Sequence, residues 1–260
     1  MIWVLAGTGD SFRLIDKLIK YNTDIIASVV TDYGKKKLKN KNIEIIKKKL
    51  KLNDMKELIE KHNVELIIDA THPFAENVSK NSMAASLLTG IEYIRYEREV
   101  IDLSQYPAEY IISVHSYQEA AKKVKEYNKI FLTIGSNNLQ YFTSEIDNWP
   151  QRITARILPD WRFIKKADKL GFDPGNLVAL QGPFSYELNR AIFKEYEANV
   201  LVSKASGNIG GLDTKIKAAI DLSIPIVIIR RPELDYPVVF NNFVELLDYC
   251  FSGEVRENEE

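Results

Sequence analysis

MIWVLAGTGDSF, residues 1–12, sets out a strand, a turn and a helix in quick succession. The apolar run 1–6 stops at a glycine, small residues follow, and apolar side chains then recur at helical spacing (Phe12, Leu14, Ile15, Leu18, Ile19). A buried strand, a tight turn and an amphipathic helix open a βα unit of a parallel sheet. Small residues at such a turn also let backbone amides approach a phosphate at the helix N-terminus. Gly7, Thr8, Gly9, Asp10 and Ser11 occupy that position. Phe12 stands where the usual fingerprint has its third glycine, and Asp10 brings a negative charge to the phosphate side. A nucleotide turn and a plain βα turn are both open on these residues.

Outward from this stretch the alternation continues. Residues 24–30 and 43–46 read as strands and 53–62 as a helix capped by Asn53. Residues 65–69 form the next strand, 74–89 a helix closed by Gly90, and 91–95 another strand. After a polar, proline-containing stretch at 102–109 the pattern restarts. Strands are expected at 110–114, 129–134, 152–157, 177–180, 200–203 and 224–229. Helices are expected at 116–127 (capped by Ser116), 160–170, 185–196, 213–222 and 241–250. The expectation is an α/β protein of two Rossmann-like domains with parallel sheets and an interdomain cleft. Residues 1–101 would be a nucleotide-binding domain, 102–251 a second α/β domain, and 252–260 a disordered acidic tail.

The bulk composition narrows the class. A chain of 260 residues with 45% hydrophobic and 27% charged side chains reads as soluble and globular, and no run approaches transmembrane length. A net charge of −1 argues against a nucleic-acid or membrane-surface partner. Nine lysines in the seventeen residues 35–51 are read as a solvated face. The single cysteine, Cys250, precludes an intrachain disulfide and fits a reducing cytoplasm. His62, His72 and His115 lack metal-site spacing, so no metal is expected. A cytoplasmic monomer or weak homo-oligomer is expected.

Ligands of open parallel sheets bind beyond the carboxyl ends of the strands, which reduces the candidates to a few loops. Thr31-Asp32 ends the second strand, where an acidic residue either hydrogen-bonds a ribose 2′-hydroxyl or starts a turn. Thr71-His72-Pro73-Phe74 follows the strand at 65–69, with Pro73 suited to the first turn of the next helix. In the second half, Ser136-Asn137, Gln181 with Gly182-Pro183-Phe184-Ser185, and Lys204-Ala205-Ser206-Gly207 follow strands, with Lys215 in the helix beyond. These hydroxyls, glycines and lysines suit an anion. Arg95, Arg98 and Arg156 flank strand ends too, and guanidinium forks grip carboxylates bidentately, so a polycarboxylate substrate is inferred.

Taken in order, AGTGDS, DATHPFA, YIRYER, TIGSNNL, RILP, QGPFS followed by ELN, KASGNIGG with Lys215, and IPIVIIRRP resemble the precorrin-6A reductase family of corrin biosynthesis. The motifs run from residue 2 to 232. The resemblance implies a two-domain reductase that moves hydride from NADH or NADPH to a tetrapyrrole, with or without cobalt, to give a precorrin-6B-type product. It implies cofactor contacts for Gly7 to Ser11, Thr31, Asp32, Thr71, Pro73 and Phe74. Arg95, Arg98, Ser136, Asn137, Arg156, Gln181, Lys204, Ser206, Gly207 and Lys215 would meet the acetate and propionate rim. His72 would donate a proton or orient the substrate, with water as the alternative donor. Thr31-Asp32, without an arginine nearby, leans towards NADH and so towards the cobalt branch. Two rivals are a reductase of a smaller carboxylated substrate and a non-catalytic nucleotide sensor.

Overall fold

The computed structural model describes residues 1–21, 23–207 and 210–251. Among the described residues twelve strands, numbered along the chain, form two six-stranded sheets in two compact units: Met1–Glu99 with the segment from Pro232 onward, and Val100–Arg231.

The first sheet holds β1 (Ile2–Leu5), β2 (Ile25–Val29), β3 (Glu44–Lys47), β4 (Leu66–Asp69), β5 (Glu92–Tyr96) and β12 (Val239–Phe240). Its spatial order is β12-β5-β4-β1-β2-β3, and every neighbouring pair is parallel. With β12 as sixth strand, this is the 3-2-1-4-5-6 order of Rossmann dinucleotide-binding domains, and the order reverses between β1 and β4. β1 and β2 are buried along their whole length, as strands covered on both faces must be. Trp3, wholly buried on β1, gives its indole N–H to Ser28 Oγ of β2 at 3.1 Å, so no polar atom of the ring is stranded.

The second sheet holds β6 (Ile111–Val114), β7 (Ile130–Leu132), β8 (Ile153–Ile157), β9 (Leu177–Ala179), β10 (Val200–Lys204) and β11 (Ile226–Ile229). Its order is β6-β11-β10-β7-β8-β9, again parallel throughout, with the reversal between β7 and β10. β11, IVII, between β6 and β10, is entirely buried. Both sheets therefore present a switch point, the place where ligands of such sheets bind.

Four expectations need correction. Residues 232–251 do not belong with the second unit: β12 pairs with β5 (Val239↔Arg95, Phe240↔Tyr96), and the helix Phe243–Phe251 buries Leu246, Leu247 and Phe251 in the first unit's core. A two-residue strand has no alternation to read, which hid it. The helix Leu52–His62 begins after Lys51 rather than Asn53, with the Asp54 carboxylate accepting the Lys51 amide at 2.8 Å. Pro73 precedes the helix Glu76–Thr89, inside a turn closed by the Ala75 amide on the His72 carbonyl at 2.8 Å; proline suits the second position of such a turn. A helix, Asp32–Leu38, lies in the lysine-rich stretch where none was expected. The expected tail at 252–260 lies outside the described residues. No described helix is long and apolar enough to cross a membrane.

Candidate functional site

In the first unit the turn after β1 is tied by its own side chains. Thr8 caps the helix Gly9–Leu18, its Oγ1 accepting the Ser11 amide at 3.1 Å. Ser11 Oγ accepts the amides of Gly7 and Thr8, each at 3.0 Å, and donates to the Thr8 carbonyl. Thr8 Oγ1 donates to the Ala70 carbonyl at 3.0 Å, bridging β1 to β4 across the switch point. Among the described residues the Gly9 and Asp10 amides donate to nothing, so two N–H groups at the positive end of the helix stay available to an anion. Gly7 has φ +143°, and no atom lies within 4 Å of a Cβ placed at Gly7 or Gly9, so the turn is open on that side. Asp10 is buried, yet its charge is balanced by Arg13 and by Arg98, the latter at 2.9 Å. An open depression lies here, lined by Thr8, Asp10, Thr71, Pro73, Glu97 and Arg98 among others.

The loop after β4 is held from beneath by Asp69. Its Oδ1 accepts the Thr71 amide (3.0 Å), the Thr71 hydroxyl (2.6 Å) and Arg95 Nη1 (2.9 Å). Its Oδ2 accepts Ser79 Oγ (2.5 Å) and the Tyr93 hydroxyl (2.8 Å). Burial and then the Asp69 charge hold the Tyr93 phenol well above its ordinary range, so it stays a donor. This saturation makes Asp69 the keystone of the Thr71-His72-Pro73-Phe74 turn. His72 Nδ1 accepts the Phe74 amide at 3.2 Å, which fixes the tautomer with the proton on Nε2.

Arg95 is a correction. It is wholly buried, opposite Asp69 in register, bonded to Asp69 and Glu97 and lying over the Tyr236 ring at 5.2 Å. Among the described residues it serves as the counter-ion of Asp69 and Glu97 rather than facing solvent. Thr31 caps the helix Asp32–Leu38 by accepting the Gly34 amide at 3.0 Å. Asp32, exposed at the first position of that helix, pairs with Lys47 at the end of β3.

In the second unit a different set of side chains meets at the ends of β8 and β10. Arg156 of β8 is buried; its Nη1 donates to Asn189 Oδ1 at 2.8 Å and its guanidinium lies 4.3 Å from the Phe184 ring centre. Asn189 Nδ2 reaches Thr214 Oγ1 (3.1 Å) and the Ser185 carbonyl (3.0 Å), so this one amide links the QGPFS loop, β8 and the helix Leu212–Asp221. Buried Lys215, on that helix, donates to the Gly210 carbonyl at 3.1 Å and stands 3.5 Å from Ser203 Oγ. Burial, then Arg156 and Lys204, push its ammonium down to about 7; burial takes Lys204 to about 8 and Arg156 to about 10. Neither Arg156 nor Lys215 has an ion-pair partner among the described residues.

Of the remaining candidates, Ser136 and Ser206 are buried near the switch point, after β7 and β10, and Gly207 has φ +77°. Asn137 is exposed and takes Lys166 Nζ at 3.1 Å, while Gln181 is exposed beyond the edge strand β9. Asn208 and Ile209 of the KASGNIGG motif lie outside the described residues. Asn189 and Asp69 stand in the quoted ELN and DATHPFA motifs, yet neither was expected to build a site. Their signals, a lone asparagine in a helix and an aspartate closing an apolar strand, are too common to separate from caps and turns.

The two parallel sheets and their switch points define a protein of the two-unit Rossmann-like α/β class. Residues 1–251 match the family of the precorrin-6x reductases CbiJ/CobK. The cobalt-precorrin-6A reductase of Priestia megaterium is 38% identical over 95% of this chain and 96% of its own length, and that of Methanocaldococcus jannaschii 34% over 95% and 96%. A CobK precorrin-6A reductase structure superposes with TM-score 0.78 at 21% identity, over 96% of both chains. The chain belongs to the precorrin-6x reductase family, oxidoreductases of cobalamin biosynthesis that act on a CH–CH group with a nicotinamide nucleotide. The open glycine turn and the two available amides at the helix N-terminus fit the diphosphate of such a nucleotide, which supplies the hydride when bound.

Proposed function

We propose that this chain reduces the cobalt-bearing form of precorrin-6A with NADH as its preferred nucleotide. The observation that carries the reading is the glycine turn at the β1/β4 switch point, open above Gly7 and Gly9, in a chain of this family. The Gly9 and Asp10 amides take the diphosphate; Thr8 and Ser11 hold the turn in shape, and Gly7 supplies the backbone conformation that side chains resist. Asp32, beyond β2, accepts the ribose hydroxyls, Thr31 shaping the helix start beneath it, and favours NADH because a 2′-hydroxyl can donate to it where a 2′-phosphate cannot. Thr71, Pro73 and Phe74 form the wall on the β4 side. Arg13 and Arg98 both pair with Asp10, so the buried carboxylate does not oppose the phosphates.

In the second unit Arg156, Lys204 and Lys215 bind substrate carboxylates, and Ser136, Ser206, Gly207, Asn137 and Gln181 edge the same sheet end. His72, with its Nε2–H, orients a substrate carboxylate or delivers the proton that accompanies hydride. The cobalt branch is favoured by the cobalt-precorrin-6A reductase names of the Priestia and Methanocaldococcus relatives. Anaerobic incubation with cobalt-precorrin-6A or the metal-free compound, following nicotinamide absorbance, tests this. Oxidation is expected with the cobalt substrate and faster with NADH. No oxidation on either substrate with either nucleotide would remove the reductase reading.

A further inference from the structure

Two buried cations at the carboxyl end of the second sheet, Arg156 and Lys215, meet no carboxylate among the described residues. Arg156 (6% exposed) leans on a neutral amide and two aromatic rings, Phe184 at 4.3 Å and Phe193 at 5.9 Å. Lys215 (8% exposed) has a carbonyl and a hydroxyl for company. The charged groups acting on Lys215 are themselves cations, Arg156 from β8 and Lys204 from β10. The nearest acid along its own helix, Asp213, is taken by Tyr106 at 2.7 Å and Lys217 at 3.0 Å. Removing lone charges from water costs several kcal/mol each, so proteins rarely bury such a group without a partner. Lys215 meets this by giving up its proton near neutral pH, the ammonium sitting at about 7.

We propose that Arg156, Lys204 and Lys215 form a desolvated pocket for one carboxylate arm of the tetrapyrrole, and that docking this carboxylate draws a proton from solvent onto Lys215. The proposal rests on the reading that this unit meets the substrate's carboxylates. The incoming anion supplies the missing charge, so the ammonium form regains its advantage over the amine. The balance is simple: carboxylate and solvent proton enter, the amine becomes ammonium, and the carboxylate stays ionised. Substrate thus binds as an anion together with a proton, and its affinity falls as pH rises above the range where Lys215 is already charged.

Titration calorimetry of the full chain with cobalt-precorrin-6A, in two buffers of different ionisation enthalpy, counts that proton. At about pH 8.5 uptake of close to one proton per site is expected, and at about pH 6 close to none. Lys215→Arg, charged at every pH, should bind with no uptake. Lys215→Met should bind at least tenfold more weakly, also without uptake, while melting no lower than the parent. Buffer-independent heats for the parent at high pH, uptake that persists in Lys215→Arg, or no substrate heat would overturn the proposal. Oxidation of NADH without proton uptake would defeat the pocket alone; proton-coupled binding without oxidation would defeat the reductase reading and leave the pocket standing.

Discussion

Two buried arginines show how differently one side chain can be housed. Arg95 meets Asp69 and Glu97 in a dry network, whereas Arg156 has an amide and aromatic faces. Asp69→Ala should therefore strand a buried guanidinium and cost ~3–5 kcal/mol in urea unfolding of the first unit. Arg156→Ala should instead weaken tetrapyrrole binding by roughly 10- to 100-fold, the worth of a charge-assisted hydrogen bond, with nucleotide affinity unchanged. Equal loss of both ligands would place Arg156 elsewhere. Lys215 gives a pH signature as well. Its folded value is pulled from 10.5 to about 7, so between those limits the unfolded chain holds the extra proton and stability rises with pH. Below about 7 both states carry the ammonium and the full penalty applies. The melting temperature of the ligand-free protein should climb between neutral pH and pH ~9.5, and Lys215→Met should flatten that climb. The sequence shows an arginine at a strand end but not the partner opposite it. YIRYER reads the same whether Arg95 faces Asp69 or solvent, and only the β4–β5 register decides.

At the scale of elements, the first βα turn was legible because each local signal agrees with the next. An apolar strand, Gly7 at positive φ, a Thr8 cap and an amphipathic helix all specify one geometry. Phe12 packs against the first unit's core, filling the place of the fingerprint's third glycine. A Cβ at Gly9 meets open space within this chain, so Gly9→Val should leave the melting temperature within a few degrees. It should nevertheless raise the nucleotide dissociation constant by tenfold or more, read by fluorescence titration, because the branched side chain occupies the approach to the diphosphate. Unchanged nucleotide affinity would move the cofactor away from this turn. Helices and buried strands were readable from period; β12 was not, because its two residues take their conformation from the β5 edge. The helix Asp32–Leu38 was masked in the same way, its lysines offering no apolar stripe beyond Leu38.

For the molecule as a whole, the strand order of both sheets could not be read from one sequence, because parallel pairing is set by crossovers that leave no local trace. The return of the chain to its first sheet is the chief consequence. Phe251, nearly buried and stacked on Tyr21 at 4.3 Å, fastens the last described helix to the first unit. Phe251→Ala should cost ~3–5 kcal/mol and, in differential scanning calorimetry, lower the transition of that unit while the other keeps its own. The layout also imposes an order of events on synthesis. Residues 100–231 form one uninterrupted stretch and can complete their sheet as soon as they leave the ribosome. The earlier unit must wait, its β5 edge unpaired, until residues 232–251 have been translated. Its exposed strand edge during that interval is the vulnerable moment in making this protein, the stage at which a chaperone or a mispairing neighbour would find it.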